Sequence, residues 1–312
     1  MAFFSLDPEH RGGRARARLL LFGAGVLFGL SAILAKLAAR GGMDGGQVTL
    51  CRFTVGLGLV GAIFVGRPGT FRPVKKGLLV TRGLFGGFAA LLYFLAIERI
   101  SAGEATLINN TFPIWATLAS IFVLDERPTL HLAFGLLLAS AGVFLVVGGP
   151  ELHLALGVGQ GIAVLSAICG GVAVTSIRAL RATDNAPTIF FAFAVGGLVT
   201  SLPYGLHAWP GLGPAWLAAG GVGIVAFGAQ LCMTEAYGAL SVPEAALWQQ
   251  LTPIASFAWG LLIGERLTGF TVLGVMLGVA GIVWGSVLGF RPRARADARR
   301  AALAAGLPAE EP

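Results

Sequence analysis

Two carboxylates and two short polar turns carry the chemistry through which this sequence could handle a small molecule. Glu104 and Glu244 each stand near the start of an apolar run. In the first turn of a helix a carboxylate interacts with the unsatisfied N–H groups and the positive end of the dipole. At membrane depth, where an ionisable group is costly, it would instead mark a proton or cation relay. Further along the same runs, Asn109, Asn110 and Thr111 precede Pro113, and Trp248, Gln249 and Gln250 precede Pro253. Proline inside a helix removes a backbone hydrogen bond and bends it, so each polar turn falls at a bend. Its amides either bond a neighbouring helix or line a wet cavity. The candidate substrate-orienting groups are Tyr93, Asn109, Asn110, Gln230, Trp248 and Gln249. Pro113 and Pro253 are candidate hinges, and Glu104 and Glu244 a candidate charge relay.

The other polar groups in apolar runs have plainer readings. Arg82, Glu235 and Tyr237 fall near helix ends and are expected to snorkel towards water. Lys36 and Arg52 are expected to do the same, or to pair with Glu98 or Glu104. Glu126 and Glu265, beside Arg127 and Arg266, read as exposed ion pairs or caps. Cys51, Cys169 and Cys232 lie singly in apolar segments and read as small buried hydrophobes.

The elements that position these groups come in two copies. Glu104, Ala105, Leu107, Pro113 and Ile114 recur as Glu244, Ala245, Leu247, Pro253 and Ile254, a shift of 140. After one residue of slippage, Glu126, Thr129, Gly135 and Gly142 recur as Glu265, Thr268, Gly274 and Gly281. A unit this long is a half-protein and implies internal duplication.

At 56% hydrophobic and 12% charged over 312 residues, with a mean hydropathy of +0.82, the chain does not read as soluble domains. The 47 glycines suit helices that approach closely in lipid. Ten runs are long enough to cross about 30 Å of hydrocarbon: 19–38, 47–66, 77–97, 102–124, 130–148, 156–178, 186–206, 214–236, 242–263 and 269–290. The expectation is an all-α polytopic membrane protein of ten transmembrane helices. A first repeat spans 19–148 and a second 156–290, between basic tails at 1–18 and 291–312.

The net charge of +7 sits in short loops and tails, so it argues for orientation in a membrane and against a nucleic-acid face. Sixteen Lys and Arg fall on one side, in the tails and around Arg67–Lys76, Arg127, Arg178 and Arg181. Only Arg40, Arg99 and Arg266 fall on the other. Both termini are therefore expected in the cytoplasm. Five helices per half is an odd number, so the second copy enters the membrane upside down, the plan of many secondary transporters.

Phosphate-binding loops, HExxH and paired aspartates at membrane depth are all missing from the sequence, which argues against an enzyme or an ATP-driven pump. No cofactor or metal is expected.

The segments FPIWATLASIFVLDERPTLHLAFGLLLASAGVFLVV and TPIASFAWGLLIGERLTGFTVLGVMLGVAGIVWGSV, with Cys51-Arg52-Phe53 and GVGQGIAVLSAICGGVAVTSIRAL, resemble the drug/metabolite transporter superfamily, specifically its ten-helix members built of two EamA-type repeats. The resemblance covers about residues 19–290 and extends to aromatic-amino-acid exporters of YddG type. It implies a central cavity opening alternately to either side of a bacterial inner membrane. The expected function is export of small metabolites, amino acids or related amphiphiles. Efflux of hydrophobic cations against Glu104 or Glu235, and a non-transporting scaffold or sensor, remain as alternatives. Small-molecule substrate and bilayer are the implied partners, and the oligomeric state stays open.

Overall fold

A computed structural model of the chain describes residues 11–97, 99–100, 102–148, 157–264 and 268–289. Residues 1–10 of the first tail, the whole of the second, Glu98, Glu265 and Arg266 lie outside the described residues, and 11–18, expected in the tail, are the start of α1. The described residues form twelve helices: α1 (Arg11–Arg40), α2 (Gly45–Gly66), α3 (Lys76–Ile97), α4 (Ala102–Asn109), α5 (Phe112–Leu124), α6 (Leu130–Gly148), α7 (Val158–Leu180), α8 (Ala186–Gly205), α9 (Pro214–Ala236), α10 (Val242–Gln249), α11 (Leu251–Leu261) and α12 (Gly269–Leu288). The pairs α4–α5 and α10–α11 are each one broken traverse, so the chain crosses ten times. Eight spans meet the length and hydropathy needed to cross a membrane. The chain is a multi-pass membrane protein.

Short connections fix the ends. Asp44 caps α2 in a reciprocal box: it accepts from the Gln47 N–H at 3.0 Å, and Gln47 Oε1 accepts from the Asp44 N–H at 3.1 Å. Gln47 Nε2 then reaches the Ala208 carbonyl. At the end where α1 begins, called here the basic end, Asp184 accepts from the Val74 and Lys75 N–H groups. Asn185 caps α8 through the Thr188 N–H.

Helices α6 and α12, the last of each repeat, pack on each other through glycine. A Cβ at Gly135 would meet the Gly281 carbonyl oxygen at 2.7 Å, and one at Gly274 the Gly142 carbonyl oxygen at 2.6 Å. The matched small residues thus join the two repeats within one chain.

The inverted relation between the repeats is visible in contacts. Gly29 of α1 lies against α11, where an added Cβ would meet Ser256 N at 2.6 Å. Gly171 of α7 lies against α5, where it would meet Ala116 N at 2.7 Å. Residue 29 maps to 171 by a shift of 142, and 116 to 256 by 140. The same helix crossing is therefore built twice, in opposite orientation.

Candidate functional site

The two polar turns are breaks in the helix. Thr111 N–H donates to Ile108 O at 3.0 Å, Ile114 N–H to Thr111 O at 2.9 Å and Gln250 N–H to Leu247 O at 3.2 Å. This three-residue spacing is that of a 3₁₀ turn. Pro113 and Pro253 are the second residue of α5 and the third of α11. Lacking an N–H, neither can donate to the carbonyl four residues back, Asn109 or Gln249. The matched prolines therefore end α4 and α10 instead of bending a continuous helix.

Both breaks converge on α6. Asn110 and Thr111 line a cavity of about 400 Å³ together with Leu107, Phe144 and Ser140. Gln250 Nε2, from the other break, donates to Ser140 Oγ at 2.6 Å. Asn110 and Gln250 are repeat equivalents by the shift of 140, so one α6 hydroxyl lies at both.

The other candidates have separate surroundings. Asn109 Oδ1 accepts from Ser166 Oγ at 3.0 Å, and that hydroxyl also reaches Ala89 O at 2.7 Å; Asn109 thus ties α4 to α7. Tyr93 Oη and Thr106 Oγ1 lie 2.5 Å apart, joining α3 to α4. Gln249 Nε2 donates to the hydroxyl of the fully buried Tyr237. Gln230 Nε2, Thr234 Oγ1 and Trp248 Nε1 are buried without a hydrogen-bond partner. Phe227, Gln230 and Thr234 fall at i, i+3 and i+7 on one stripe of α9, and Phe227 packs edge-on against Phe190 at 4.9 Å.

Glu244 and Glu104 sit in the first turns of α10 and α4 and tie those turns to the first helix of a repeat. Glu244 is 4% exposed. Its Oε1 accepts from Arg18 Nε and Nη2 at 2.9 and 2.8 Å, and its Oε2 from Arg14. Glu104 Oε1 accepts from Gln160 Nε2 of α7 at 2.7 Å. By the shifts of 142 and 140, Arg18 corresponds to Gln160 and Glu244 to Glu104. The same tether thus exists at both ends of the bundle, with two guanidinium partners at the basic end.

A second difference between the ends concerns the broken helices. At the basic end α10 packs against α5, whereas their repeat equivalents at the opposite end, α4 and α11, make no comparable contact. Val242, Ala245, Ala246 and Leu247 of α10 are fully buried. Among the described residues, then, the broken helices meet at the basic end and do not meet in the equivalent way at the other.

Several readings of the sequence need correction, beginning with Tyr237, which is fully buried and does not snorkel. Glu126 is not an exposed cap: it is 6% exposed, pairs with Arg178 at 3.1 Å and accepts the Val242 N–H at 2.7 Å, pinning the start of α10. Glu235 does not snorkel but pairs with Arg181 at 2.7 Å. Arg82 does not snorkel either. It is 3% exposed, with its guanidinium carbon 3.9 Å above the Phe193 ring. Arg52 makes no ion pair with Glu104 or any other carboxylate among the described residues, and its nearest aromatic contact is Phe53 at 5.7 Å. The signal for this pair was available: two arginines inside apolar runs with no acidic residue at the same depth.

A family model described as the EamA-like transporter family matches residues 15–148 and again 158–287. The chain belongs to that family. As an EamA-like protein it is similar to the pseudopaline exporter CntI of Pseudomonas aeruginosa (strain UCBPP-PA14), at 24% identity over 66% of this chain and 73% of the relative. It is also similar to an uncharacterized transporter of Helicobacter pylori (strain ATCC 700392 / 26695), at 27% identity over 72% of this chain and 78% of the relative. A crystal structure superposes with a TM-score of 0.76 at 21% identity, covering 88% of this chain and 98% of its own, a likeness of fold.

Proposed function

We propose that this EamA-like protein is a secondary transporter that exports small metabolites, amino acids or related amphiphiles, across a bacterial inner membrane by alternating access. The observation that carries the reading is the broken symmetry: α5–α10 closed at the basic end and α4–α11 parted at the other, within two repeats that otherwise build the same contacts in opposite orientation. Exchanging those two arrangements between repeats converts the observed state into its opposite. The excess of Lys and Arg at the basic end supports a cytoplasmic position for that end and for both termini. The repeats run 19–148 and 156–290, with the flanking tails cytoplasmic. Export is the direction named for the Pseudomonas relative. Asn110, Gln230, Trp248 and Gln249 are the groups offered to cargo, while Tyr93 and Asn109 hold helices around them.

Cation efflux is the weaker reading, because Glu235 is paired with Arg181 and Glu104 is bonded to Gln160. Counterflow in proteoliposomes preloaded with single amino acids tests the proposal. Labelled phenylalanine, threonine or another member of the panel should accumulate; a panel that gives no accumulation overturns it.

A further inference from the structure

Arg82 and Arg52 are two charges inside the bundle that the mechanism above leaves unused. Arg82 lies six residues into α3 from the basic end, about 9 Å deep, and Arg52 seven residues into α2 from the other, about 10 Å deep. Arg82 is 3% exposed, its Nε is buried without a partner, and no hydrogen bond or ion pair holds its guanidinium among the described residues. Arg52 likewise has none. The two flank one aromatic stack, with Arg82 over Phe193, Phe193 edge-on to Phe53 at 5.2 Å, and Arg52 beside Phe53.

Helix α3 packs against α4, α7 and α8, and α2 against α8, α9 and α1. Every described carboxylate on those helices is already engaged: Glu104 by Gln160 and Glu235 by Arg181. Glu126, the carboxylate nearest in effect to Tyr237, is held by Arg178 and the Val242 N–H. Helices α7 and α8 contribute only the paired Arg178 and Arg181 and the phenol Tyr204. Two like charges, one buried and one half-buried, with no counter-charge among the described residues are unfavourable unless something else supplies one. Guanidinium groups suit an oxyanion, which they bind in bidentate fashion. The aromatic rings between them suit an apolar body.

We propose that Arg82 and Arg52, with the Phe53–Phe193 stack, form an anion-recognition site whose cargo is a carboxylate bearing an apolar or aromatic body. The inference rests on the transport reading for its biological sense and on the side-chain arrangement for its chemistry.

The test is direct binding to the full-length protein in nanodiscs, read by thermal shift. Matched pairs serve as probes: phenylacetate against phenylacetamide, N-acetylphenylalanine against its primary amide, and inorganic phosphate as a bare oxyanion. The acids should raise the melting temperature saturably and their amides should not. Arg82→Gln and Arg52→Gln should each weaken acid binding at least tenfold, with Arg82→Lys recovering part of the loss. Running both substitutions keeps the test decisive should one variant fail to fold. Discs of zwitterionic lipid and discs containing phosphatidylglycerol should give the same shifts. Competition from the anionic lipid, an equal response to acid and amide, a response to phosphate alone, or no response to any acid overturns the assignment. Acid binding without counterflow would retain this site and remove the transport reading. Counterflow that ignores the carboxylate would do the reverse.

Discussion

Replacing Arg18 by glutamine copies onto the basic end the residue that stands at the equivalent place in the other repeat, Gln160. In the described state Arg18 donates twice to Glu244 and once, at 3.2 Å, to the Ser286 carbonyl. Removing one partner of a fully buried ion pair costs about 3–5 kcal/mol, and an exposed pair is worth about 0.2–1 kcal/mol. The Glu244 side chain is 5% exposed but that of Arg18 is 29%, and Arg14 stays to share the carboxylate. The loss should therefore fall between those limits, about 1–2 kcal/mol. Since 1.4 kcal/mol is a factor of ten, the population open at the basic end should rise about tenfold. Ala245 reports this, being fully buried in the cluster that also contains Ala116 of α5. In a background where Cys51, Cys169 and Cys232 are serine, Ala245→Cys should react with a charged maleimide only when α10 leaves α5. Applied from the basic end of oriented vesicles, the reagent should label the Arg18→Gln protein about ten times faster than its parent. An unchanged or slower rate would refute the idea that the Glu244 tether holds this end shut.

Gly29→Ala and Gly171→Ala each drive a methyl into backbone, at Ser256 and Ala116, and should destabilise by a similar amount, about 1–3 kcal/mol, in denaturant titration; unequal effects would count against equivalence of the two crossings. Gly161→Ala, with nothing within 4 Å of its Cβ, should change stability by less than about 0.5 kcal/mol. Gln230→Leu removes a buried amide nitrogen without a partner, so it should raise the melting temperature while lowering counterflow; a variant both less stable and fully active would show the amide to be structural.

The repeat and the inverted arrangement were legible because each leaves a local signature, small residues at matched spacing and Lys/Arg counts that alternate by loop; the matched prolines marked the right places but read as bends, where the structure has breaks. Glu244 was readable as a first-turn carboxylate from its place in the run. Its partners were not, because Arg14 and Arg18 lie 230 and 226 residues away and read in isolation as part of a basic tail. The same holds for Glu126, whose neighbour Arg127 suggested a surface pair. The structure sends Arg127 instead to Asp125, with both side chains more than four-fifths exposed, and leaves Glu126 to Arg178. Sequence neighbours compete poorly with groups brought close by packing, because burial strengthens a distant pair and solvent weakens an adjacent one.

The two repeats have diverged unevenly, and the pattern of divergence bears on function. Where backbones touch, at Gly29 and Gly171 or at Gly135 and Gly274, both copies retain glycine, since a methyl there would disrupt the crossing in either conformation. Polar positions were free to change. Gln160 stands where the first repeat has Arg18, Gln250 where it has Asn110, and among the described residues the arginines of α2 and α3 have no acidic partner from the second repeat. A duplicated bundle with identical tethers would have equal free energies open to either side. One whose tether is doubly charged at the basic end rests closed there. On the proposed mechanism a few side chains would set the resting state, on a backbone whose crossings are built alike in both repeats. On the proposed assignment, two guanidinium groups without a carboxylate partner among the described residues would give an anionic cargo the means to alter that balance, because its charge would be worth most in whichever conformation brings Arg52 and Arg82 around it.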